Sequence, residues 1–301
     1  MRTAAIAFAG LISSAVAPAA MAQGLFDPWA DRVVDYAEGS EPAVGFTDPL
    51  TTLGPPERFT GEGVFPGSVT PFNPPFGRDE LVSIGAGGFL VVEFDEPITD
   101  DATNPFGIDL LVFSNALYTD ASFPDGLVSG IFAEGGTIEV SADGVEWFLI
   151  DGVDADGPNA TLGYLDLTGP YDTSAGSVPS DFTKPVDPTL DPIGLNFVEL
   201  VAAYDGSGGG VGVDIATVDL SEISFVRIAS SSGSPEIDAF ADVAATCPAD
   251  IDGDGFLTVF DFLEFQNRFV TGDARADFDA SGALDLFDFL AFQDAFTTGC
   301  P

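Results

Sequence analysis

The C-terminal end of the chain is a duplication with a period of 27 residues, and no other feature constrains the fold as tightly. Asp250, Asp252, Gly255, Leu257, Phe260, Asp261, Phe262, Leu263, Phe265, Gln266, Phe269 and Gly272 recur as Asp277, Asp279, Gly282, Leu284, Phe287, Asp288, Phe289, Leu290, Phe292, Gln293, Phe296 and Gly299. Each copy opens with a twelve-residue loop that places oxygen-bearing side chains at alternate positions, Gly at position 6 and a carboxylate at position 12. On a tight loop, alternate side chains converge on one point, and Gly permits the bend. The first loop offers Asp250, Asp252, Asp254, Thr258 and Asp261 with the Phe256 carbonyl; the second offers Asp277, Asp279, Ser281, Asp285 and Asp288 with the Ala283 carbonyl. Oxygen-only donors in this number suit Ca²⁺ and not zinc or copper, so two calcium ions are expected. A single loop of this kind also reads as ordinary turn formers on an acidic surface, but two in register do not.

Behind each loop, residues 259–270 and 286–297 carry Phe262, Phe265 and Phe269, and Phe289, Phe292 and Phe296, at spacings of three and four. That spacing puts the rings on one helical stripe. A loop-helix unit this short cannot bury its stripe alone, so the two units are expected to pack on each other. Clustered carboxylates repel until an ion joins them, so folding of this segment should be coupled to calcium.

The rest of the chain sets the context. Residues 1–22 combine Arg2, an apolar run from Ala4 to Val16 and the small-residue exit Ala20-Met21-Ala22, the pattern of a secretory leader. The chain is therefore expected to be secreted, extracellular or attached to the cell surface, with no membrane span left after cleavage. With 8 basic and 49 acidic residues the formal charge is −41, a field that repels phosphate and excludes nucleic acid as a partner. Histidine is absent and Lys184 is the only lysine, which rules out a Ser-His-Asp triad, a Cys-His pair and a His-ligated zinc. Carboxylate chemistry and hard-metal binding remain. The only cysteines, Cys247 and Cys300, bracket the duplication. In a secreted chain such a pair is expected to form a disulfide worth about 4 kcal/mol on the chain-entropy model.

Between the leader and the duplication, short apolar runs alternate with Gly, Pro, Asp and Asn clusters, the rhythm of an all-β sandwich. Strands are expected at Val33–Tyr36, Leu81–Ile84, Phe89–Phe94, Asp109–Phe113, Thr137–Ser141, Glu146–Ile150, Phe197–Ala203, Ser224–Ala229 and Ile237–Val243. Ala142-Asp143-Gly144 between two of them predicts a hairpin at 137–150. The Pro- and Gly-rich stretches 39–78 and 151–195 either pack over the sandwich or carry function. The run from Asp205 to Gly212 is a mobile loop or a close backbone contact; no Lys or helix follows it, as a phosphate loop would need. The expected division is a leader at 1–22, a β-sandwich at 23–245 and a calcium-binding module at 247–301.

Two loop-helix repeats of the form Asp-x-Asp-x-Asp-Gly-x5-Asp at the end of a secreted chain resemble a dockerin. With Cys247-Pro248-Ala249-Asp250 at the start and Gly299-Cys300-Pro301 at the end, the segment is similar to the GC-type dockerins of exported bacterial proteins. The resemblance implies Ca²⁺ at the residues named above and anchoring of the preceding domain to a cohesin-like or other cell-envelope receptor. Loop positions 10 and 11, polar in dockerins that read cellulosomal cohesins, are Val259-Phe260 and Leu286-Phe287. They are assigned to the core ahead of a partner surface. More loosely, residues 81–245 resemble jelly-roll, discoidin-like domains of bacterial surface proteins, which implies a fold more than a function.

Together these readings describe a secreted, non-catalytic binding or structural protein whose sandwich has a glycan or protein ligand. The alternative is a secreted glycoside hydrolase, which needs only two carboxylates, in a cleft with aromatic platforms. Asp100, Asp101, Asn104 and Asp109 beside a strand end, with Asp238, read first as a solvated acidic loop and second as a third calcium site in the sandwich.

Overall fold

The computed structural model describes residues 28–243, 249, 251, 257–273, 276, 278 and 283–298. The expected leader and the pair Cys247 and Cys300 lie outside them, as do Asp250, Asp252, Asp254, Phe256, Asp277, Asp279 and Ser281. In chain order the strands are β1 (Arg32–Ala37), β2 (Phe59–Thr60), β3 (Gly67–Ser68), β4 (Val82–Ser83), β5 (Phe89–Thr99), β6 (Leu110–Ser114) and β7 (Leu117–Asp120). They continue as β8 (Val128–Phe132), β9 (Gly135–Ser141), β10 (Phe148–Asp156), β11 (Val211–Val213), β12 (Glu222–Ala229) and β13 (Glu236–Asp242). The helices are α1 (Phe197–Ala203), α2 (Val259–Thr271) and α3 (Leu286–Thr298). No helix among the described residues is long and apolar enough to cross a membrane.

The protein is mainly β, and two antiparallel sheets form its centre. One runs β1-β5-β12-β9-β10 and the other β11-β6-β13-β4. Leu90, Val92, Ile138, Val140, Val226 and Ile228 of the first sheet meet Val82, Leu110, Val112, Val211, Val213, Ile237 and Phe240 of the second in one buried cluster. This is the sandwich that the apolar rhythm predicts. β6 is buried at every residue, and its alternation explains why: Leu110 and Val112 face the first sheet, while Leu111 and Phe113 join a second cluster with Phe182, Ala239 and Ala241. Pairing of β13 with β6 slips between Ile237 and Ala239. That bulge at Asp238 switches the side-chain parity, so Ile237 and Phe240 reach one core and Ala239 and Ala241 the other.

The hairpin at 137–150 is present, with Phe148, Leu149 and Ile150 paired to Val140, Glu139 and Ile138. Its turn is held by Asp143 Oδ1, which accepts the Val145 and Glu146 N–H groups, with Gly144 at φ +70°. Phe197–Ala203, expected as a strand, is instead helix α1. Asn196 caps it by accepting the Glu199 N–H at 3.1 Å, and the Glu199 carboxylate accepts the Asn196 N–H at 3.0 Å. This reciprocal box starts a helix, and Phe197 and Leu200, three apart, are buried on one face.

The long stretches pack as ordered excursions. Phe72, Tyr118, Val128, Ala160, Leu162, Val186, Phe197, Leu200 and Tyr204 make a core of their own. Arg58 links the two stretches: its guanidinium donates to Gly163 O at 2.6 Å and Ser180 O at 2.9 Å, and lies 3.9 Å from the centre of the Phe182 ring. The glycine run is a close backbone contact and not an exposed loop. A Cβ on Gly208 would stand 2.2 Å from the Phe182 ring, and one on Gly209 would stand 2.6 Å from Ala160 O.

Candidate functional site

Among the described residues of the duplicated segment, α2 and α3 pack on each other through equivalent positions of the two copies. The equivalent rings Phe265 and Phe292 stack face to face, with centroids 4.2 Å apart and planes at 1°. The contacts around them come in matched pairs: Phe262–Phe292 at 6.0 Å with Phe265–Phe289 at 6.2 Å, and Phe265–Phe269 at 5.8 Å with Phe292–Phe296 at 5.7 Å. Phe278 stands edge-on to both stacked rings, and its counterpart Ile251 is buried in the same cluster, as are the equivalent pair Ala249 and Ala276. The stripe at spacings of three and four is therefore the core of the pair.

The position-12 carboxylates, Asp261 and Asp288, are both fully buried, each in the first turn of its helix. Asp261 accepts the Ile251 N–H at 2.9 Å and the Thr258 N–H at 2.7 Å. In the second copy Asp288 accepts the Asp285 N–H, also at 2.7 Å. Position 9 caps each helix: Thr258 Oγ1 accepts the Phe260 N–H at 3.0 Å, and Asp285 Oδ1 accepts the Phe287 N–H at 2.7 Å. Backbone donors and the positive end of the helix thus hold a buried carboxylate at the foot of each loop. Ala283 is exposed beside the second. Arg268 ties the first loop to its helix, donating to Ile251 O at 2.8 Å and Glu264 at 2.9 Å.

Loop positions 10 and 11 are not core. Val259, Phe260, Leu286 and Phe287 are 61%, 64%, 66% and 64% exposed, and Leu263 and Leu290 join them at 51% and 49%. The same helical period that turns Phe262, Phe265 and Phe269 inward turns 259, 260 and 263 outward. Both copies carry this exposed apolar set.

In the sandwich, the acidic residues expected together separate into two places. Asp109 is buried and accepts the Asn104 side-chain amide at 2.9 Å and the Ile215 N–H at 3.0 Å. Burial pushes its pKa up despite these bonds. Asn104 is also buried, Asp100 is exposed and Asp101 half-buried, with the Asp101 N–H donating to Asp109 at 3.4 Å. Asp238 lies elsewhere, buried in the bulge of β13, and accepts the Glu57 N–H at 3.1 Å. Burial, then the nearby Glu57 and Glu80, push its pKa well up, and burial carries Glu57 to about 7.

An open hollow of about 320 Å³ is lined by residues 166–168 and 172–177, with Asp166 and Asp172 the acids among them. Asp166 accepts the Ser177 hydroxyl and the Ser177 and Val178 N–H groups, which hold it down at about 2. Asp172 accepts the Thr168 and Gly169 N–H groups. Tyr164 packs behind the lining residue Gly176, where a Cβ would stand 2.7 Å from Tyr164 Cγ. One acidic convergence was missed from the sequence: Glu134, Asp156 and Glu236, brought together only by sheet packing.

No family model matches the chain, and no curated protein matches it. Among solved structures it is similar to the module CBM32-1 from a family 31 glycoside hydrolase of Clostridium perfringens, at 9% identity over 69% of this chain and 91% of that one. The TM-score is 0.25, too low to carry an argument about fold or ligand.

Proposed function

We propose that the chain is an exported, non-catalytic β-sandwich protein attached through a calcium-loaded, dockerin-like C-terminal module. One observation carries this reading: the same local arrangement occurs twice, with a buried position-12 carboxylate at the foot of each helix and an exposed apolar pair directly beside it. Calcium would draw each loop onto its carboxylate, relieve the repulsion among the loop acids and fix the helix that starts there. Val259, Phe260 and Leu263 with Leu286, Phe287 and Leu290 then face a cohesin-like or other envelope receptor. Apolar side chains exposed this far, in two copies, fit an interface and not a solvated face. The sandwich is the displayed part, with a glycan or protein as its ligand.

The test is capture of the full chain by an envelope extract with calcium or with a chelator, using the native protein and the double variant F260S/F287S. The expected result is capture that needs calcium and is lost in the variant while its helix content stays. Capture that ignores both changes would sink the proposal. The hydrolase alternative needs two carboxylates across a cleft; at the hollow lined by 166–168 and 172–177, hydrogen bonds from Ser177 and Val178 hold Asp166 as an anion.

A further inference from the structure

Three carboxylates meet where the two sheets come together at one end of the sandwich. Glu134 lies in the turn between β8 and β9, Asp156 ends β10 opposite Gly135, and Glu236 begins β13 opposite Ser83. Two of them thus belong to the edge of the five-stranded sheet and one to the four-stranded sheet. Each offers one oxygen, and the three oxygens lie within 4.8 Å of one another. Asp156 is 1% and Glu236 6% exposed.

The hydrogen bonds around the cluster do not satisfy it. Asp156 Oδ2 accepts the Glu134 N–H at 2.7 Å, and Glu236 Oε1 accepts the Ser83 hydroxyl at 3.1 Å. Asp156 Oδ1 is buried and has no hydrogen-bond partner. A buried carboxylate oxygen without a donor costs free energy unless something else meets it. The ion pairs among the described residues, made by Arg32, Lys184, Arg227 and Arg268, all lie elsewhere.

We propose that Glu134, Asp156 and Glu236 form a calcium site that clips the two sheets of the sandwich together. The donors are all hard oxygens, two of the three side chains are buried, and oxygens within 4.8 Å of one another lie inside the reach of Ca–O bonds of about 2.3–2.6 Å. The ion meets the buried Asp156 carboxylate and cancels the repulsion between the sheets. This site is independent of the C-terminal loops, and its acids lie 22 and 80 residues apart along the chain.

The test counts calcium ions bound by the full chain in equilibrium dialysis. Asp261→Asn with Asp288→Asn cripples the C-terminal loops and should leave one ion bound; adding Asp156→Asn and Glu236→Gln should remove it. Whether the C-terminal loops bind at all changes the native count but not this difference. In parallel, Trp fluorescence follows melting of the sandwich. Without metal, the Asp156→Asn, Glu236→Gln variant should melt above the native chain, because like charges have been removed, which also shows that it folds. Calcium should raise the native melting temperature and leave the variant unmoved. No ion on the Asp261→Asn, Asp288→Asn chain, or an equal calcium shift in native and variant, would overturn the proposal.

Discussion

The two sheets bury Val, Ile and Leu from both sides of one seam, with Leu90, Val92, Val112, Val226 and Phe240 all fully or almost fully buried. Among the described residues, the helix pair buries a ladder of phenylalanines with Ile251, Leu257, Leu284 and three alanines. Short segments seldom supply enough apolar area to hold themselves together and lean on disulfides or metals instead. The difference teaches where calcium belongs in each region: in the sandwich it would reinforce a fold that burial already secures, and in the helix pair it would be a condition of folding.

Perturbing the aromatic ladder gives the largest expected effect. Phe265→Ala removes the stack on Phe292 and should cost about 3–5 kcal/mol. Trp29 and Trp147, the only tryptophans, lie in the sandwich, while α2 and α3 are far longer than α1. Far-ultraviolet dichroism should therefore show the loss of helix, with tryptophan fluorescence unchanged. If both signals fell together, the two regions would be one cooperative unit and the comparison would fail.

Acidity should separate them next. Glu57 is raised to about 7 by burial and the nearby Glu80, and Asp242 to about 7 by burial and the nearby Asp109. Both bind protons more tightly folded than unfolded. Stability from this source is present below about pH 4, declines as pH rises through the folded values and is gone by about pH 8. The metal-free sandwich should melt higher at pH 5 than at pH 8. Calcium-dependent helix should change in the opposite direction, because ligand carboxylates must be deprotonated. Melting of the metal-free sandwich that rises with pH would contradict this.

The smallest expected effect lies in α1. Asn196→Ala removes one side of the capping box and should cost about 1 kcal/mol, read as a lower denaturant midpoint for the fluorescence transition. A null result would mean that Phe197 and Leu200 hold the helix without its cap.

What the sequence made legible follows the range of the interactions. The hairpin at 137–150 and both C-terminal helices could be read because turn chemistry and a period of 3.6 act over a few residues. α1 was misread because Phe-Val-Glu-Leu-Val-Ala-Ala is apolar enough for a strand, and the deciding signal was Asn196 with Glu199. The strands β7 and β8 went unread because Leu117–Asp120 and Val128–Phe132 are short and flank a Pro-containing loop. Val259-Phe260 was assigned inward because apolar character alone does not say which side of a helix a first-turn residue takes. The meeting of Glu134, Asp156 and Glu236 had no local signal at all, because the pairings of β10 with β9 and of β13 with β4 create it.

The most direct measurement is removal of calcium from the full chain, following helix by dichroism and the sandwich by tryptophan fluorescence in the same sample. The expected result is loss of most of the helical signal with the fluorescence spectrum of the folded sandwich retained, and recovery on adding calcium back. Helix that persists unchanged in excess chelator would mean that the phenylalanine ladder suffices on its own, and that the C-terminal loops do not govern attachment.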